Sequence, residues 1–451
     1  MIDQHAVLAA FPASVPRYTS YPTAPKFQKG SGPDLATSLI AGLNEQEPVS
    51  IYIHIPFCDR LCWFCGCHTK HTLKYAPVRV YIDHLLQEIA MFGAKTSVKP
   101  RLKSIHLGGG SPSLLQSEDM ARIRNALTAN FLFDQNVEIS VEIDPSDVTQ
   151  DMYDGLGVLG VTRASIGVQD FHPDVQKAIN RPQTFEQTAG VVSRLREMGV
   201  TSINVDALYG LPLQTTDRLQ DTLRQCLELT PDRLALFGYA HIPWFKKHQK
   251  MIRDSDLPST FERFNHANMS SQMLQNAGYQ AIGIDHFAKP DDSLSVAANS
   301  GRLHRNFQGY TTDSCPILIG FGASSIGRFV DGYIQNTVAT GEYQDCIKAG
   351  KLPTDKGIWL SSDDKIRAHI IERLMCDFRV CLVSVEQQFG EKVRPLQELA
   401  EYLAKTALKN LCLFENDVLS ISPEATPFTR IIASHFDAYY EFGQLQYSKA
   451  V

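Results

Sequence analysis

The stretch SIYIHIPFCDRLCWFCGC, residues 50–67, joins two segments of different character. Its first part is rich in isoleucine and other apolar side chains, which is typical of a buried strand. Its second part places four cysteines, Cys58, Cys62, Cys65 and Cys67, within ten residues. We therefore predict a strand that leads directly into a cysteine-bearing loop.

Five more runs of this kind follow along the chain, and each ends in a polar or glycine-rich turn. They are SIHLGGG (104–110), EISVEIDP (138–145), RASIGVQDF (163–171), SINVDALYGLP (202–212) and RLALFGYAHIP (233–243). Helix-length amphipathic segments lie between them, for example residues 80–93 and 184–199. This alternation indicates βαβ units and a parallel sheet. About six units are too few for a standard eight-stranded barrel, so we predict an α/β fold built as a partial, open parallel β/α barrel.

Polar and glycine residues gather where these predicted strands end. They are Cys58, Gly108, Gly109, Gly110, Ser111, Glu142, Asp144, Gln169, Asp170 and Asp206. Parallel α/β folds place their active sites at the carboxyl ends of the strands. We therefore predict that this edge of the sheet carries the active site.

The chain changes in character towards both ends, and we predict three regions. Residues 1–45 are an N-terminal extension, residues 46–350 the partial barrel, and residues 351–451 a mostly helical C-terminal accessory domain. In the last region, the predicted helices and a hairpin that turns at Asn416-Asp417 favour a winged-helix-like arrangement. The helices are predicted over residues 362–380, 393–411 and 426–442, and the hairpin over residues 412–422. Winged-helix domains often bind DNA, but no basic recognition helix stands out, so a packing or lid role is favoured.

Charge and composition narrow the classes of function. The 451 residues carry a formal net charge of −6, which argues against a general polyanion binder, and no nucleic-acid partner is expected. The first residues lack the features of a signal peptide, and no stretch approaches the length of a membrane span. We expect a cytoplasmic monomer, in which the ten cysteines are reduced rather than paired in disulfides.

The spacing of the clustered cysteines leaves two kinds of site open. Structural zinc sites usually combine two well-separated pairs of ligands, and this chain has no second pair of that kind. Three thiolates spaced as Cys58-x3-Cys62-x2-Cys65 suit an iron–sulfur cluster, whose fourth iron stays open to a substrate. The spacing favours the cluster, with zinc as the alternative. Cys67 is then a free thiol that faces the reaction space, where it either has a catalytic role or packs against a ligand.

Longer motifs occur in order from residue 16 to about residue 340 and carry a resemblance. They are PRYTSYPT (16–23), YIHIPFCDRLCWFCGC (52–67), GGGSP (108–112), VEIDP (141–145), GVQDF (167–171), NRPQ (180–183), YGLPLQT (209–215), YAHIP (239–243), DHFAKPDD (285–292) and HRNFQGYT (304–311). The cysteine motif after the first strand is the hallmark of radical S-adenosylmethionine enzymes. The series as a whole resembles the oxygen-independent coproporphyrinogen III oxidases (coproporphyrinogen dehydrogenases).

The resemblance implies an activity in porphyrin and haem biosynthesis. Two propionates of coproporphyrinogen III would be oxidatively decarboxylated to vinyls, giving protoporphyrinogen IX. The cofactors would be a 4Fe-4S cluster on Cys58, Cys62 and Cys65 and two molecules of S-adenosylmethionine. The sequence names neither the electron donor nor the electron acceptor. A related haem chaperone, which generally lacks PRYTSYPT and the fourth cysteine, and other radical enzymes on the same scaffold are the alternatives.

The resemblance also implies which residues bind the cofactors. The first S-adenosylmethionine would contact Tyr52, Gly109, Glu142 and Ile326. The second would contact Phe64, Gly110, Ser111, Gln169, Arg181, Asp206 and Ala240. Because the substrate carries four carboxylates and the chain is acidic overall, we add Arg17 and Arg305 as candidate substrate-binding residues.

Each of these assignments has a structural alternative. Glu142 and Asp206 would instead be helix N-caps or exposed strand-end carboxylates. Arg181 would serve as a surface ion-pair partner. The apolar candidates would be plain core residues, and the two substrate arginines would have purely structural roles.

Overall fold

The computed structural model describes residues 4, 7, 15–390 and 393–440. Its strands are β1 (Gln28–Lys29), β2 (Val49–Ile55), β3 (Phe57–Cys58), β4 (Lys70–His71), β5 (Arg101–Gly109), β6 (Leu132–Ile143), β7 (Arg163–Gln169), β8 (Ser202–Tyr209), β9 (Arg233–Gly238), β10 (Gln280–Ile282), β11 (His286–Ala288), β12 (His304–Asn306), β13 (Gly309–Thr311), β14 (Ile317–Phe321), β15 (Ile326–Phe329), β16 (Gly332–Asn336), β17 (Thr354–Trp359), β18 (Arg379–Cys381), β19 (Cys412–Glu415) and β20 (Val418–Ile421).

The helices lie between and after these strands. They are α1 (Gly32–Ala41), α2 (Ala76–Gly93), α3 (Ser117–Asn130), α4 (Gln150–Leu159), α5 (Pro173–Ala178), α6 (Phe185–Glu197), α7 (Thr216–Glu228), α8 (Thr260–Asn276), α9 (Ser293–Asn299), α10 (Thr340–Lys348), α11 (Ser362–Asp377), α12 (Leu382–Phe389), α13 (Arg394–Lys405) and α14 (Thr429–Ser434). Within the described residues, no helix combines the length and the apolar character that crossing a membrane requires.

The main sheet is open, and its centre is parallel. Its strands lie in the order β1-β17-β16-β15-β14-β2-β5-β6-β7-β8-β9-β11-β10. The strands from β14 to β9 are parallel, whereas the strands towards both edges are antiparallel. All six predicted runs lie in the parallel part, as β2 and β5 to β9. The predicted partial, open barrel is therefore confirmed.

One parallel strand, β14, was not predicted from the sequence. It spans only five residues, Ile317–Phe321, and pairs with β2 along its whole length. The antiparallel pair of β12 and β13 precedes it, and the hairpin partner β15 follows it. Strand β14 does not fit the pattern of strands that alternate with helices, because no helix immediately precedes or follows it.

The two faces of β2 explain how the barrel is filled. Ile51, Ile53 and Ile55 are at most 1% exposed and belong to the main hydrophobic core beneath the helices. Because side chains alternate along a strand, Tyr52 and His54 point to the opposite face. Each buried isoleucine contributes about 1.5–3 kcal/mol of apolar burial, which fixes the register of the strand.

Helix α2 is tied to the end of the parallel strands by hydrogen bonds as well as apolar packing. The hydroxyl of Tyr81 donates to His54 O at 2.8 Å and accepts from Ala323 N at 2.9 Å. Two turns further along the helix, Glu88 accepts a hydrogen bond from Gly322 N at 2.8 Å. These bonds fix the turn between β14 and β15 against the strand that precedes the cysteine loop.

Glu88 is a buried carboxylate with three donors around it. Besides Gly322 N, Tyr343 Oη donates at 2.7 Å and Asn336 Nδ2 at 2.6 Å. Burial raises the pKa of Glu88 to about 7, and these hydrogen bonds keep it from rising further. The carboxylate therefore joins α2, the β14–β15 turn, β16 and α10.

The C-terminal region has its own small sheet and core. Strands β18, β20 and β19 pair in that order, and the predicted hairpin is confirmed, with Asn416 at φ 51° and Asp417 at φ 61°. These left-handed angles are those of the tight hairpin turn that such residues favour. The predicted helix over residues 362–380 ends early, because Phe378 adopts φ 57° and the next residues form β18.

The last predicted helix is shorter than expected. A 3-10 segment, Pro423–Phe428, precedes α14, which ends at Ser434. Pro427 lacks an N–H donor and lies inside the 3-10 segment, so a continuous α-helix does not start there. Residues 441–442 of the prediction lie outside the described residues.

The N-terminal segment packs with the C-terminal region. Val15, Tyr18 and Tyr21 are buried in the same core cluster as the C-terminal helices and strands. The Tyr18 hydroxyl also donates to Asp437 Oδ2 at 3.1 Å. The boundaries at residues 45/46 and 350/351 stay predictions, but the two chain ends share one core.

We predict that Glu88→Gln lowers the free energy of unfolding by about 1–3 kcal/mol at pH 8. A glutamine amide directs an NH2 group at one of the three donors, so at least one buried donor loses its acceptor. Chemical denaturation of the purified protein measures the change. Glu228→Gln, at an exposed position, is the matched control and should change stability by less than about 0.5 kcal/mol. Equal stability of the two variants would contradict this account.

Candidate active site

The cysteine loop is anchored on one side by the segment that follows β7. Trp63 N donates to Ile179 O at 2.9 Å, and Asn180 Nδ2 donates to Leu61 O at 2.9 Å. The side chains of Trp63 and Phe64 pack against a small apolar cluster. Its buried members are Val175, Ile179, Leu208, Leu211, Tyr239 and Ile252. The aromatic residues between the cysteines thus attach the loop to the ends of β8 and β9.

The other side of the loop is held by the segment after β9, which the sequence prediction did not single out. Its side chains bind loop carbonyls: Lys246 Nζ to Cys67 O at 2.9 Å, His248 Nε2 to Cys65 O at 2.7 Å and Gln249 Nε2 to Phe64 O at 2.8 Å. Gln249 Nε2 also donates to Ala240 O at 3.1 Å. Two residues predicted to bind the second S-adenosylmethionine, Phe64 and Ala240, are thereby brought together.

The four thiols of the loop have different surroundings. Arg181 Nη1 lies 3.5 Å from Cys62 Sγ, and Cys67 N lies 3.4 Å from Cys65 Sγ. A hydrogen bond from the Cys67 thiol lowers the pKa of Cys65 to about 7. Burial raises the pKa of Cys58. Cys67 is exposed, and the hydrogen bond and the charge of the neighbouring Cys65 raise its pKa.

The donor set of the loop fits an iron–sulfur cluster. Among the described residues, no three His, Cys, Asp or Glu side chains are close enough together to share one metal ion. A tetrahedral zinc requires its ligands around one point, whereas the thiolates of a four-iron cluster bind different irons. Thiolates are the preferred protein ligands of such clusters, so the donor set of the loop fits the predicted 4Fe-4S cluster.

Tyr52, Gly109 and Glu142, predicted to contact the first S-adenosylmethionine, lie side by side at the strand ends. Gly109 N donates to Glu142 Oε2 at 2.9 Å, and His106 Nε2 lies 3.2 Å from Glu142 Oε1. Burial opposes ionisation of Glu142, but these contacts outweigh it and hold its pKa below the usual value. Tyr52 stacks on His106 with ring centroids 5.8 Å apart, and its hydroxyl lies 2.9 Å from His54 Nδ1.

Gly109 and Gly110 leave backbone atoms accessible at the end of β5. Gly109 adopts φ 112°, and a Cβ there would lie 2.4 Å from the ring of His54. A Cβ on Gly110 would lie 2.5 Å from Phe57 O. Only glycine fits at these positions, so the strand end presents main chain rather than side chains to a ligand.

Ile326, the fourth predicted contact, lies two strands away from Tyr52, with Gly320 of β14 between them. Gly320 of β14 pairs in register with Tyr52, and a Cβ on Gly320 would lie 2.7 Å from Ile326 O. Ile326 begins β15, directly after the turn that Tyr81 and Glu88 hold. The structure therefore brings all four predicted contacts of the first group to one edge of the sheet.

Arg181 is an internal ion-pair partner rather than a surface one. Its Nη1 donates to Asp144 Oδ2 at 2.8 Å, and its Nη2 donates to Gly167 O at 2.8 Å. A Cβ on Gly167 would lie 3.1 Å from Gln169 Nε2 and 3.0 Å from Arg181 Nη2, so the two predicted residues are neighbours. Arg181 Nε is buried and has no hydrogen-bond partner among the described residues.

Ser111 is linked to the carboxylate of Asp147. Its hydroxyl donates to Asp147 Oδ2 at 2.7 Å and lies 2.7 Å from Ser113 Oγ. Burial and the nearby charge of Asp144 raise the pKa of Asp147 to about 7. Ser111 therefore has partners within the protein, and its main chain remains at the strand end.

Asp206 lies in a row of polar side chains inside the barrel. Ser165 Oγ donates to Asp206 Oδ2 at 2.7 Å, and Asn204 Nδ2 donates to Asp206 Oδ1 at 2.7 Å. Neither Asp206 nor Glu142 caps a described helix. The sequence analysis missed the rest of this row, which comprises His54, His106, Ser140, Ser165 and Asn204. Their alternate positions in the predicted strands were a signal that they share one face.

The two candidate substrate arginines are adjacent. Arg305 Nη2 lies 3.4 Å from Arg17 O, and Arg17 Nη2 lies 3.4 Å from Gly238 O, at the end of β9. Arg305 also lies over the ring of Tyr310, 4.4 Å from its centroid. Both arginines line a cavity of about 550 Å³ that opens at the ends of β8 and β9.

Comparison with known proteins gives consistent matches. Residues 52–226 match the family model of the radical SAM superfamily. The chain is 45% identical to the oxygen-independent coproporphyrinogen III oxidase of Cereibacter sphaeroides, over 98% of each chain. It is 38% identical to that of Escherichia coli K12, over 96% of this chain and 95% of that one.

The solved structure of Escherichia coli coproporphyrinogen III oxidase, described as a radical SAM enzyme, superposes with a TM-score of 0.90. It is 36% identical and covers 96% of this chain and 99% of its own. The chain belongs to the oxygen-independent coproporphyrinogen III oxidase family. Radical SAM proteins use a 4Fe-4S cluster and S-adenosylmethionine, and the family model spans the cysteine loop and the ends of β5 to β8.

We predict that Gln249→Met increases the mobility of the cysteine loop. Gln249 is fully buried, and methionine keeps its size but removes both carbonyl contacts. Amide hydrogen exchange of peptides covering residues 62–67, followed by mass spectrometry, should become about tenfold faster. The Gln249 side chain loses three hydrogen bonds, to Phe64 O, to Ala240 O and from Ile242 N.

Lys250→Met is the matched control, because Lys250 lies next to Gln249 and is exposed. Its exchange at residues 62–67 should equal that of the unaltered protein. Unchanged exchange in Gln249→Met would show that Lys246 and His248 hold the loop without it.

Proposed function

We propose that this protein converts coproporphyrinogen III to protoporphyrinogen IX without oxygen, using S-adenosylmethionine and a 4Fe-4S cluster. The observation that carries the proposal is the similarity to coproporphyrinogen III oxidases over 98% of the chain, combined with a cysteine loop, glycine strand end and arginine-lined cavity at one sheet edge. Similarity over the whole chain includes the N-terminal and C-terminal regions, which the superfamily model leaves out.

Cys58, Cys62 and Cys65 would hold the cluster, and Cys67 would remain a free thiol. A fourth thiolate would occupy the iron that must bind S-adenosylmethionine. Trp63 and Phe64 fix the loop by packing, and the contacts from Lys246, His248 and Gln249 fix its carbonyls. The chain's own contribution here is to hold three thiols in place, with the apolar side chains of Trp63 and Phe64 between them and the guanidinium of Arg181 beside Cys62.

When bound, the cluster and S-adenosylmethionine would supply a radical able to take a hydrogen atom from the β-carbon of a propionate. The substrate side chain then loses CO2 and one electron and becomes a vinyl group. The electron passes to an acceptor, and a separate donor is needed to reduce the protein. We propose that both are external partners.

The two groups of strand-end residues suit two molecules of S-adenosylmethionine. For the first, Glu142 has an ionised carboxylate that accepts from hydroxyl or ammonium groups, Tyr52 and Ile326 wall the ligand, and Gly109 offers main chain. For the second, we propose Phe64, Gly110, Ser111, Gln169, Arg181, Asp206 and Ala240. The pairing of Arg181 with Asp144 leaves Arg181 Nε as its remaining buried donor.

The haem chaperone alternative is disfavoured by the N-terminal segment. Tyr18 and Tyr21 of PRYTSYPT are buried in the C-terminal core. Arg17, which precedes Tyr18, lines the cavity. This segment therefore forms part of the candidate substrate site. We propose that the protein acts as a monomer in the cytoplasm.

Cysteine substitutions test the cluster assignment. We predict that Cys58→Ala, Cys62→Ala and Cys65→Ala each lose the iron–sulfur absorbance after anaerobic reconstitution. Cys67→Ala, the matched control within the same loop, should retain near-normal iron content. A sharp fall in vinyl formation by Cys67→Ala would give its thiol a chemical role, and full activity would leave it a packing role. Loss of the cluster in Cys67→Ala would overturn the open-iron assignment.

Product analysis tests the reaction itself. Anaerobic, reconstituted protein given a reductant and coproporphyrinogen III should form protoporphyrinogen IX and consume two S-adenosylmethionine for each product. 5′-Deoxyadenosine should match that consumption, because each propionate needs one hydrogen abstraction. A haem chaperone would bind haem and form no vinyl product, and a ratio clearly below two would argue against a consumed cofactor.

A further inference from the structure

Four arginines from separate parts of the fold line the same cavity. Arg17 lies in the N-terminal segment, Arg263 in α8, Arg305 in β12 and Arg430 in α14. The cavity has a volume of about 550 Å³, within the usual range for small-molecule sites. Arg263 and Arg430 carry no assignment from the sequence motifs, and Arg430 belongs to the C-terminal region.

The protein itself supplies little negative charge to this cavity. Among the described residues that line it, Asp285 is the only acid, and its Oδ1 lies 4.0 Å from Arg305 Nη1. Asp285 also contacts His286 Nδ1 at 2.7 Å. No ion pair joins Arg17, Arg263 or Arg430 to a carboxylate of the described residues. The lining therefore carries an excess of three positive charges in a chain whose net charge is −6.

Several guanidinium donors in this group are buried without an acceptor. Arg263 and Arg305 are 7% and 8% exposed. Arg263 Nε, Arg305 Nε, Arg305 Nη1 and Arg430 Nε have no hydrogen-bond partner among the described residues. Buried donors in folded proteins are normally satisfied, so these unpaired donors at the cavity are available to the acceptors of a bound ligand.

A purely structural role explains only some of the contacts that the four arginines make. Arg263 Nη1 donates to Tyr239 O at 2.8 Å, and Arg17 and Arg305 each contact one backbone carbonyl. Crowding of like charges opposes these contacts. Burial, followed by the charges of Arg17 and Arg305, lowers the pKa of Arg430 to about 10, and burial and Arg17 lower the pKa of Arg263. A bound polyanion would relieve this repulsion.

Part of the remaining lining suits the apolar pyrrole rings of a tetrapyrrole. Phe237, Phe287, Phe307, Phe378 and Ile284 present apolar side chains to the cavity. Aromatic walls pack against individual pyrrole rings, while arginines fork onto carboxylates at the rim of the macrocycle. The cavity also reaches Tyr209 and Gly238, which end β8 and β9 close to Asp206 and Ala240. A ligand held by the arginines would therefore extend to the edge where the reaction takes place.

We propose that Arg263 and Arg430 act together with Arg17 and Arg305 to bind the carboxylates of a tetracarboxylate tetrapyrrole, so that the C-terminal region forms one wall of the substrate site. This assignment rests on the proposed function for the identity of the ligand. It gives the accessory domain a role in substrate specificity. It also explains why the N-terminal segment and the C-terminal helices share one core: each positions one arginine of the same site.

The test uses the cluster-loaded protein and coproporphyrin III, a stable tetracarboxylate porphyrin, as the probe. Arg430→Gln should weaken its binding, followed by fluorescence, about 10- to 100-fold, as expected for one lost charge-assisted contact. Arg430→Lys keeps the charge and should lose less. Arg394→Gln, an exposed arginine of the same region, is the matched control and should bind as the unaltered protein does. In turnover, Arg430→Gln should raise KM for coproporphyrinogen III more than it lowers kcat.

The affinity of the unaltered protein for a series of porphyrins gives a second test, which does not depend on the folding of a variant. Affinity should fall from coproporphyrin III to deuteroporphyrin IX, with two carboxylates, and to octaethylporphyrin, with none. Equal affinities along the series, or unchanged binding by Arg430→Gln, would overturn the proposal. If the unaltered protein forms no vinyl product but binds coproporphyrin III in this arginine-dependent way, the proposed function fails while the carboxylate site stands.

Discussion

The alternation of side chains along the parallel strands is the constraint on which the rest of this structure depends. Ile51, Ile53 and Ile55 must be buried beneath the helices, so Tyr52 and His54 are forced to face the inside of the barrel. The same rule, repeated in β5, β6 and β8, lines the interior with His106, Glu142 and Asp206. The apolar packing that stabilises the sheet thus also determines which polar side chains meet a ligand.

A polar barrel interior is stable only if its groups satisfy one another or a ligand. Glu142 does so through Gly109 N and His106, and Asp206 through Ser165 and Asn204. Gly109 has a second consequence, because the absence of a side chain lets the His54 ring and the backbone of β5 approach each other. The strand ends are therefore preorganised, with carboxylates fixed in position before any cofactor binds.

The sequence predicted the parts of this arrangement that depend on local periodicity. Six strands, the cysteine loop and the hairpin at Asn416-Asp417 all follow from short-range patterns, and the structure confirms them. The sequence did not predict contacts between distant segments. Gln249 lies 185 residues from Phe64, whose carbonyl it binds, and no local pattern marks a buried glutamine as a support of a cysteine loop. Strand β14 was missed because no helix immediately precedes or follows it, and its parallel partner β2 is distant in sequence.

The arginines of the cavity also show that contacts between distant segments are not predicted by the sequence. A net charge of −6 suggested that a polycarboxylate substrate needs local cations, and Arg17 and Arg305 were found through their motifs. Arg263 lies on a helix of ordinary composition and Arg430 in a region with no basic cluster, so neither differs in sequence from a surface arginine. Only folding brings them to one cavity, where like charges, and for Arg263 and Arg305 also low exposure, make the guanidinium groups costly without an anion. Since the core shared by the two chain ends stabilises that convergence, the hydrophobic residues around Tyr18 and Ile432 are as necessary to the site as the arginines themselves.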